Sequence, residues 1–253
     1  MIVPGLARSG LESVAFIGLD AEVQAVEYIH SEVRSGRSIP LAEVAGVVRA
    51  LAVTIRQEQG VVLPLLDIRT FDEYPTSHSC NVAMLSMALS DQLGLSDADM
   101  RAVGTAALLS DIGMTRLPSE LLLKPGSLTP EERMVIETHP VEGARMLTAI
   151  GLGNSLAATV AYEHHIWFNG TGGYSLLKYP REPHFASRIV QVCDIYDAVC
   201  SRRPYRDACP RERALGLIRS LAGLEIDPQI AEVFLTMAAG ATEVRHLVGE
   251  PAA

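Results

Sequence analysis

Through most of this chain apolar residues recur every three or four positions, a period that fits amphipathic helices rather than alternating strands. Val23, Val26, Ile29 and Val33 mark one such face from Asp20 to about Val33. After a turn at Ser35-Gly36-Arg37-Ser38, a second stretch runs from about Leu41 to Gln57. Residues 76–93 carry the same spacing, and residues 185–200 carry it again. Aromatic residues are only 5% of the chain while hydrophobic residues are 48%, so the core is built from Ala, Leu, Val and Ile. Such side chains suit closely packed helices better than sheets. The expected fold class is all-α.

Local signals set the helix ends. Ser96 is an N-cap with Asp99 three residues on. Thr129-Pro130-Glu131-Glu132 has the form of a capping box with proline at the first helical position, launching a helix toward His139. Asn154 caps a helix running to His164, a glycine-rich loop follows at Asn169-Gly170-Thr171-Gly172-Gly173, and Asp227-Pro228 opens the last clear helix. With a break near Glu58-Gln59-Gly60, residues 1–70 read as an N-terminal helical arm, 71–240 as the main domain and 241–253 as a tail.

The formal charge of −9 excludes a broad electrostatic footprint on duplex nucleic acid, although a few cations focused locally would still hold a small anion. Cys80, Cys193, Cys200 and Cys209 form no CxxC pair, and three of them sit in apolar surroundings as small core residues. No basic segment precedes an apolar run at the N-terminus, and no apolar stretch is long enough to span a bilayer. The expected location is the cytoplasm.

Histidines and aspartates carry the chemistry. His139, His164 and His165 each fall at or just beyond the end of an expected helix, and His78 lies early in one. Asp111 follows the apolar run Ala106-Ala107-Leu108-Leu109-Ser110. Asp194 stands inside Ile189-Val190-Gln191-Val192-Cys193-Asp194-Ile195, where a carboxylate is costly unless paired or bound to a cation. A salt bridge to Arg188 and a metal-ligand role both fit that position. His30 stands alone in the arm, as a surface or packing residue.

An ordered set of short motifs ties these residues together. His78-Ser79-Cys80-Asn81, Ser110-Asp111-Ile112-Gly113, Lys124-Pro125-Gly126, Glu137-Thr138-His139-Pro140, His164-His165, Asn169-Gly170-Thr171-Gly172-Gly173-Tyr174, Asp194-Ile195-Tyr196-Asp197 and Arg203-Pro204-Tyr205-Arg206 follow one another along the chain. Over roughly residues 71–240 this series resembles the HD-GYP branch of the HD phosphohydrolases. The resemblance implies an HD-type helical bundle holding metal ions in its core, and it favours the metal-ligand reading of Asp194. His78, Asp111 and Asp194 would form a first site. Asp111, His139, His164 and His165 would form a second, which makes the shared Asp111 the catalytic residue of the set. Imidazole with bridging carboxylate suits iron, manganese or zinc better than calcium or magnesium, and the resemblance implies iron or manganese, as one or two ions. Such ions activate water and neutralise phosphoryl charge during in-line attack. The implied substrate is cyclic di-GMP, with Arg203 and Arg206 either holding its phosphate or forming a solvated turn.

The chain departs from that pattern in ways that bear on activity. Ser110 stands where the HD doublet has a histidine ligand, and Met114 stands where a lysine is usual. The signature loop reads Gly173-Tyr174-Ser175, without proline, Asn169 replaces an aspartate, and Tyr74 occupies the place of an acidic residue that would support a third metal. Two readings follow: a phosphodiesterase in which water takes the missing ligand's place, or a degenerate module that binds a nucleotide or a signalling protein. A third is a helical adaptor in which the arm forms a homodimer.

Overall fold

The structure, a computed structural model, describes residues 19–57, 74–174, 182–201 and 209–247. Its described residues form α-helices α1 (Asp20–Arg34), α2 (Leu41–Gln57), α3 (Tyr74–Gln92), α4 (Asp97–Leu108), α5 (Ser119–Leu122), α6 (Pro130–Ile136), α7 (His139–Leu147), α8 (Leu156–Glu163), α9 (Phe185–Cys200), α10 (Arg211–Leu221) and α11 (Pro228–Leu247). A tight 3₁₀ turn at Ile112–Arg116 joins α4 to α5. The described residues contain no strand, only isolated bridges Ile166–Gly173 and Ala222–Ile226. The fold is all-α.

The local signals act as expected, with small shifts. Ser96 accepts from the Asp99 amide at the start of α4. Thr129 and Glu132 form a complete capping box at α6. The cap of α8 is Ser155 rather than Asn154, because the Ser155 hydroxyl is the group that reaches the Ala158 amide. The helix launched at Thr129 ends at Ile136, so His139 lies just beyond it as expected, and His139 also begins α7, with Pro140 in its first turn. Glu58-Gln59-Gly60, the expected break after the arm, lies outside the described residues.

Helix α3 is the centre of the bundle. Every residue from Thr76 to Ser90 is buried, so this helix has no solvent face and carries His78 into the interior. Helix α4 packs along it, α9 lies against it, and α8 bridges α4 and α7. Both arm helices, α1 and α2, also pack on α3, and their Val26, Ile29, Val47 and Leu51 belong to the same continuous core as Leu89, Leu108, Val192 and Phe234. At the other end, α11 continues through residue 240 to Leu247. No helix of the described residues is long and apolar enough to cross a membrane.

Burial sets the cysteines' chemistry. All four are free; Cys80, Cys193 and Cys200 are buried. Desolvation raises the Cys80 thiol and pushes Cys193 up to about 12 and Cys200 to about 11. They remain thiols at neutral pH and act as small core side chains.

Candidate metal centre

Asp111 sits at the junction between α4 and the turn that follows it. Its backbone comes unusually close to the start of α7: a Cβ added to Gly113 would fall 2.0 Å from the His139 carbonyl oxygen. Only glycine permits that approach. The result is that Asp111 Oδ1 lies 3.0 Å from His139 Nε2 and 3.4 Å from His164 Nε2. Its other oxygen, Oδ2, lies 3.4 Å from His78 Nε2.

The tautomers follow from the partners of the other ring nitrogens. His139 Nδ1 donates to the Ile136 carbonyl at 2.8 Å, and His164 Nδ1 lies 3.0 Å and 3.1 Å from the Ala161 and Val160 carbonyls. With the proton on Nδ1, each Nε2 presents a lone pair. The two Nε2 atoms are 3.3 Å apart and both face Asp111 Oδ1, a buried oxygen that accepts no hydrogen bond from the described residues despite its close neighbours. Three lone pairs converging on one point repel unless a positive charge sits among them. A cation resolves the arrangement, and the donor set fits one.

His165 completes this cluster; ligand atoms of Asp111, His139, His164 and His165 all lie within 4.8 Å of one another. The His165 ring stacks on Tyr174, with centroids 4.3 Å apart. Its loop folds back tightly enough that a Cβ on Gly173, whose φ is +87°, would meet the His165 carbonyl at 2.0 Å. Gln191 in α9 donates to the Ile166 carbonyl at 3.0 Å and ties the loop to the bundle.

On the opposite side of Asp111, His78 is oriented by side chains. His78 Nδ1 lies 2.6 Å from Asp197 Oδ2, which leaves Nε2 facing Asp194 Oδ1 at 3.0 Å. Asp197 is itself held by Asn81 Nδ2 at 2.7 Å and Ser201 Oγ at 3.1 Å. A carboxylate behind a histidine fixes the ring and raises its basicity as a ligand. His78, Asp111 and Asp194 form a second group of converging ligand atoms. His165 Nδ1 approaches Asp194 Oδ2 at 3.8 Å, which joins the two groups.

Charge within the cluster shifts its titrations. Burial raises the Asp111 carboxyl, but the neighbouring histidines His139, His164 and His78 outweigh it and hold the group well below the carboxylate range. Burial also works against charge on Asp194, and His78 lowers it. For His164, desolvation is overcome by the Asp111 carboxylate, which raises the imidazole. His165 moves the other way, lowered by burial and by the charge of His164.

All six expected ligands therefore come together around one carboxylate. Arg188, the alternative partner for Asp194, instead pairs with Asp227 at 2.6 Å. Ser110 is buried, and its hydroxyl donates to the Ala107 carbonyl at 2.8 Å, turned back onto its own helix. Arg203 and Arg206 lie outside the described residues. Sequence reasoning gives no role to Asp197 or Asn81, yet each stands three residues beyond an expected ligand, the spacing that returns a helix to the same face. It also passes over Glu163, which accepts from the His184 amide at 2.6 Å and the Ser187 hydroxyl at 2.8 Å, fastening the end of α8 to the start of α9.

The HD domain family profile matches residues 61–230. This chain belongs to the HD domain family. Hydrolases of that family depend on metal, and the His/Asp cluster described above is the part of this chain that can hold one. The chain is 34% identical over 211 residues to a cyclic di-GMP phosphodiesterase of Pseudomonas aeruginosa, covering 83% of this chain and 50% of that protein. It is 37% identical over 171 residues to a cyclic di-GMP phosphodiesterase of Thermotoga maritima, covering 66% and 45% respectively. The chain thus spans about half the length of these curated relatives. Its fold is similar to that of an HDG"Y"P protein from Bdellovibrio bacteriovorus, with a TM-score of 0.65 at 17% identity, over 87% of this chain and 69% of that one.

Proposed function

We propose that this chain is a metal-dependent phosphodiesterase that opens a phosphodiester of cyclic di-GMP. The observation that carries the reading is the Asp111 carboxylate, which offers one oxygen to His139 and His164 and the other to His78. A carboxylate facing two histidine groups in this way suits two neighbouring cations. The names of the relatives supply the substrate class.

On this reading His78, Asp111 and Asp194 hold one ion, and Asp111, His139, His164 and His165 hold the other. Iron, manganese or zinc suits that mixture of imidazole and carboxylate, and iron or manganese is the choice implied by the family resemblance. When bound, such ions supply a nucleophilic water at neutral pH and neutralise charge on the phosphoryl oxygens. The protein's own contribution is to fix the donors. Backbone carbonyls hold His139 and His164, and Asp197 holds His78, so each ligating nitrogen is aimed inward. Arg203 and Arg206 would grip phosphate bidentately. Residues 71–240 are the catalytic unit of this reading, 1–70 the arm and 241–253 the tail, and the chain works in the cytoplasm.

A second reading, a binding module without hydrolysis, is favoured by Ser110, whose hydroxyl hydrogen is committed to Ala107. One experiment separates the two. The purified chain is assayed for iron and manganese by elemental analysis and incubated with cyclic di-GMP, alongside Ser110→His. Bound metal with linear product supports the enzyme. Metal without product in either protein supports the module, and absence of metal from both defeats the assignment of the centre. Arg203→Ala/Arg206→Ala weakens cyclic di-GMP binding and leaves metal content unchanged; equal binding returns both arginines to a solvated turn.

A further inference from the structure

His164 and His165 stand between two points of attachment to α9. Immediately before them Glu163, 1% exposed at the end of α8, accepts through Oε2 from the His184 amide at 2.6 Å and the Ser187 hydroxyl at 2.8 Å. Immediately after them the Ile166 carbonyl accepts from Gln191 Nε2 at 3.0 Å. Ser187, Gln191 and Asp194 follow one another at spacings of four and three residues, so they share one face of α9, and all three are buried. The face that grips the turn therefore continues into the ligand Asp194.

A carboxylate buried this deeply is costly unless its neighbourhood calls for negative charge. Here it does. His184 is the N-cap of α9 and Ser187 lies in its first turn, where unpaired amides and the helix dipole favour an anion. Glu163 thereby fixes the start of α9 against the end of α8. The two histidines between the attachments differ in their need of them. The His164 ring is held by the Val160 and Ala161 carbonyls of its own stretch. Among the described residues no backbone carbonyl holds the His165 ring, which rests on Tyr174 and approaches Asp194 Oδ2 at 3.8 Å. Its direction depends on the backbone beneath it.

We propose that Glu163 and Gln191 are positioning residues, a two-point clamp that holds the His165 imidazole in register with Asp194 and so joins the two cation groups. The inference rests on the reading of Asp111, His139, His164 and His165 as a cation site. Glu163 belongs to neither group of converging ligand atoms and acts through the course of the chain at His165. A slip of one residue along α9 would move Asp194 by ~1.5 Å and turn it ~100° about the helix axis, away from His165. Attachments at Ser187 and at Gln191, one turn apart on the same face, exclude that slip; a single attachment leaves the helix free to pivot.

The test is a manganese titration of the full chain carrying His78→Ala, so that only the group of Asp111, His139, His164 and His165 is filled; free ion is followed by its paramagnetic resonance signal. Glu163→Ala weakens that ion ~10-fold or more, as expected for a group behind the ligands. Glu163→Gln, whose amide oxygen still accepts from both donors, restores most of the affinity. When His165→Ala has already removed the ring that the clamp aims, Glu163→Ala costs no further affinity. Gln191→Leu, which loses the second attachment, weakens the ion in the same direction and decides the matter if Glu163→Ala does not fold. Unchanged affinity in these variants overturns the proposal. So does an equal loss with and without His165, which is the mark of general loosening. A His78→Ala chain that takes up no manganese defeats the reading of the cation site itself, and this inference with it, before any clamp variant is compared.

Discussion

The two sides of Asp111 are built by different means. On the side of His139 and His164, each ring is fixed by a carbonyl three or four residues earlier in its own stretch of chain. On the side of His78, the ring is fixed by Asp197, 119 residues away, and Asp197 in turn by Asn81 and Ser201. The first construction is complete as soon as α7 and α8 form and meet. The second exists only when α3 and α9 are packed together. A local construction tolerates change elsewhere in the bundle; a long-range one depends on every helix between its parts. The contrast separates donors fixed by carbonyls of their own stretch of chain from a donor fixed by contacts between distant helices.

Asp111→Asn gives the largest expected effect, because it removes the one group common to both sides. Affinity for both ions falls by more than ~100-fold, beyond the cost of losing a supporting group alone. Elemental analysis after dialysis checks this. Retention of either ion shows that the two sides are independent sites.

Acid probes the packing of the arm through His30, which is buried on α1. Its folded pKa is about 4 against an ordinary 6.5, so between those values the unfolded chain binds a proton that the folded chain refuses. Stability is therefore lost as pH falls from about 6.5 to about 4, by up to ~3 kcal/mol from this one group. Urea unfolding across that window should show a steeper pH dependence for the parent than for His30→Leu. Parallel curves place the His30 proton equilibrium outside the folded interior.

Asp197→Asn tests the long-range side by itself. The amide no longer orients His78 as a carboxylate does, and the ion near His78 weakens ~10–100-fold while the ion near His139 is retained. A manganese titration resolves the two. Equal weakening of both means that the scaffold of His78 also supports the other side.

The smallest effect belongs to the local side. Thr129→Ala removes the α6 cap, at a cost of ~1 kcal/mol in thermal or urea unfolding. Because α6 ends at Ile136, whose carbonyl holds His139, the loss reaches the His139 ion slightly and the His78 ion not at all.

Helix identity and most helix ends are legible in this sequence because they are short-range properties. Apolar spacing, the Thr129-to-Glu132 capping box and the Ser96 cap act within one or two turns, and α1, α2 and α9 run where their periodicity puts them. The ordered motifs likewise point to His78, Asp111, His139, His164, His165 and Asp194 as one group. The one shift is also local in kind: the α8 cap moves by one residue to Ser155.

What no single stretch of sequence contains is direction. That Gly113 lets Asp111 come against His139 and that Asp197 rather than Arg188 supports the His78 and Asp194 side are both decided by packing between helices distant in the chain. The same holds for Ser110, whose hydroxyl could have faced the cation group but bonds to Ala107. The sequence by itself determined which residues can ligate, since that depends on side-chain chemistry and helical period. Tertiary structure alone decided where each lone pair points, since that depends on which partner takes the other nitrogen of every ring.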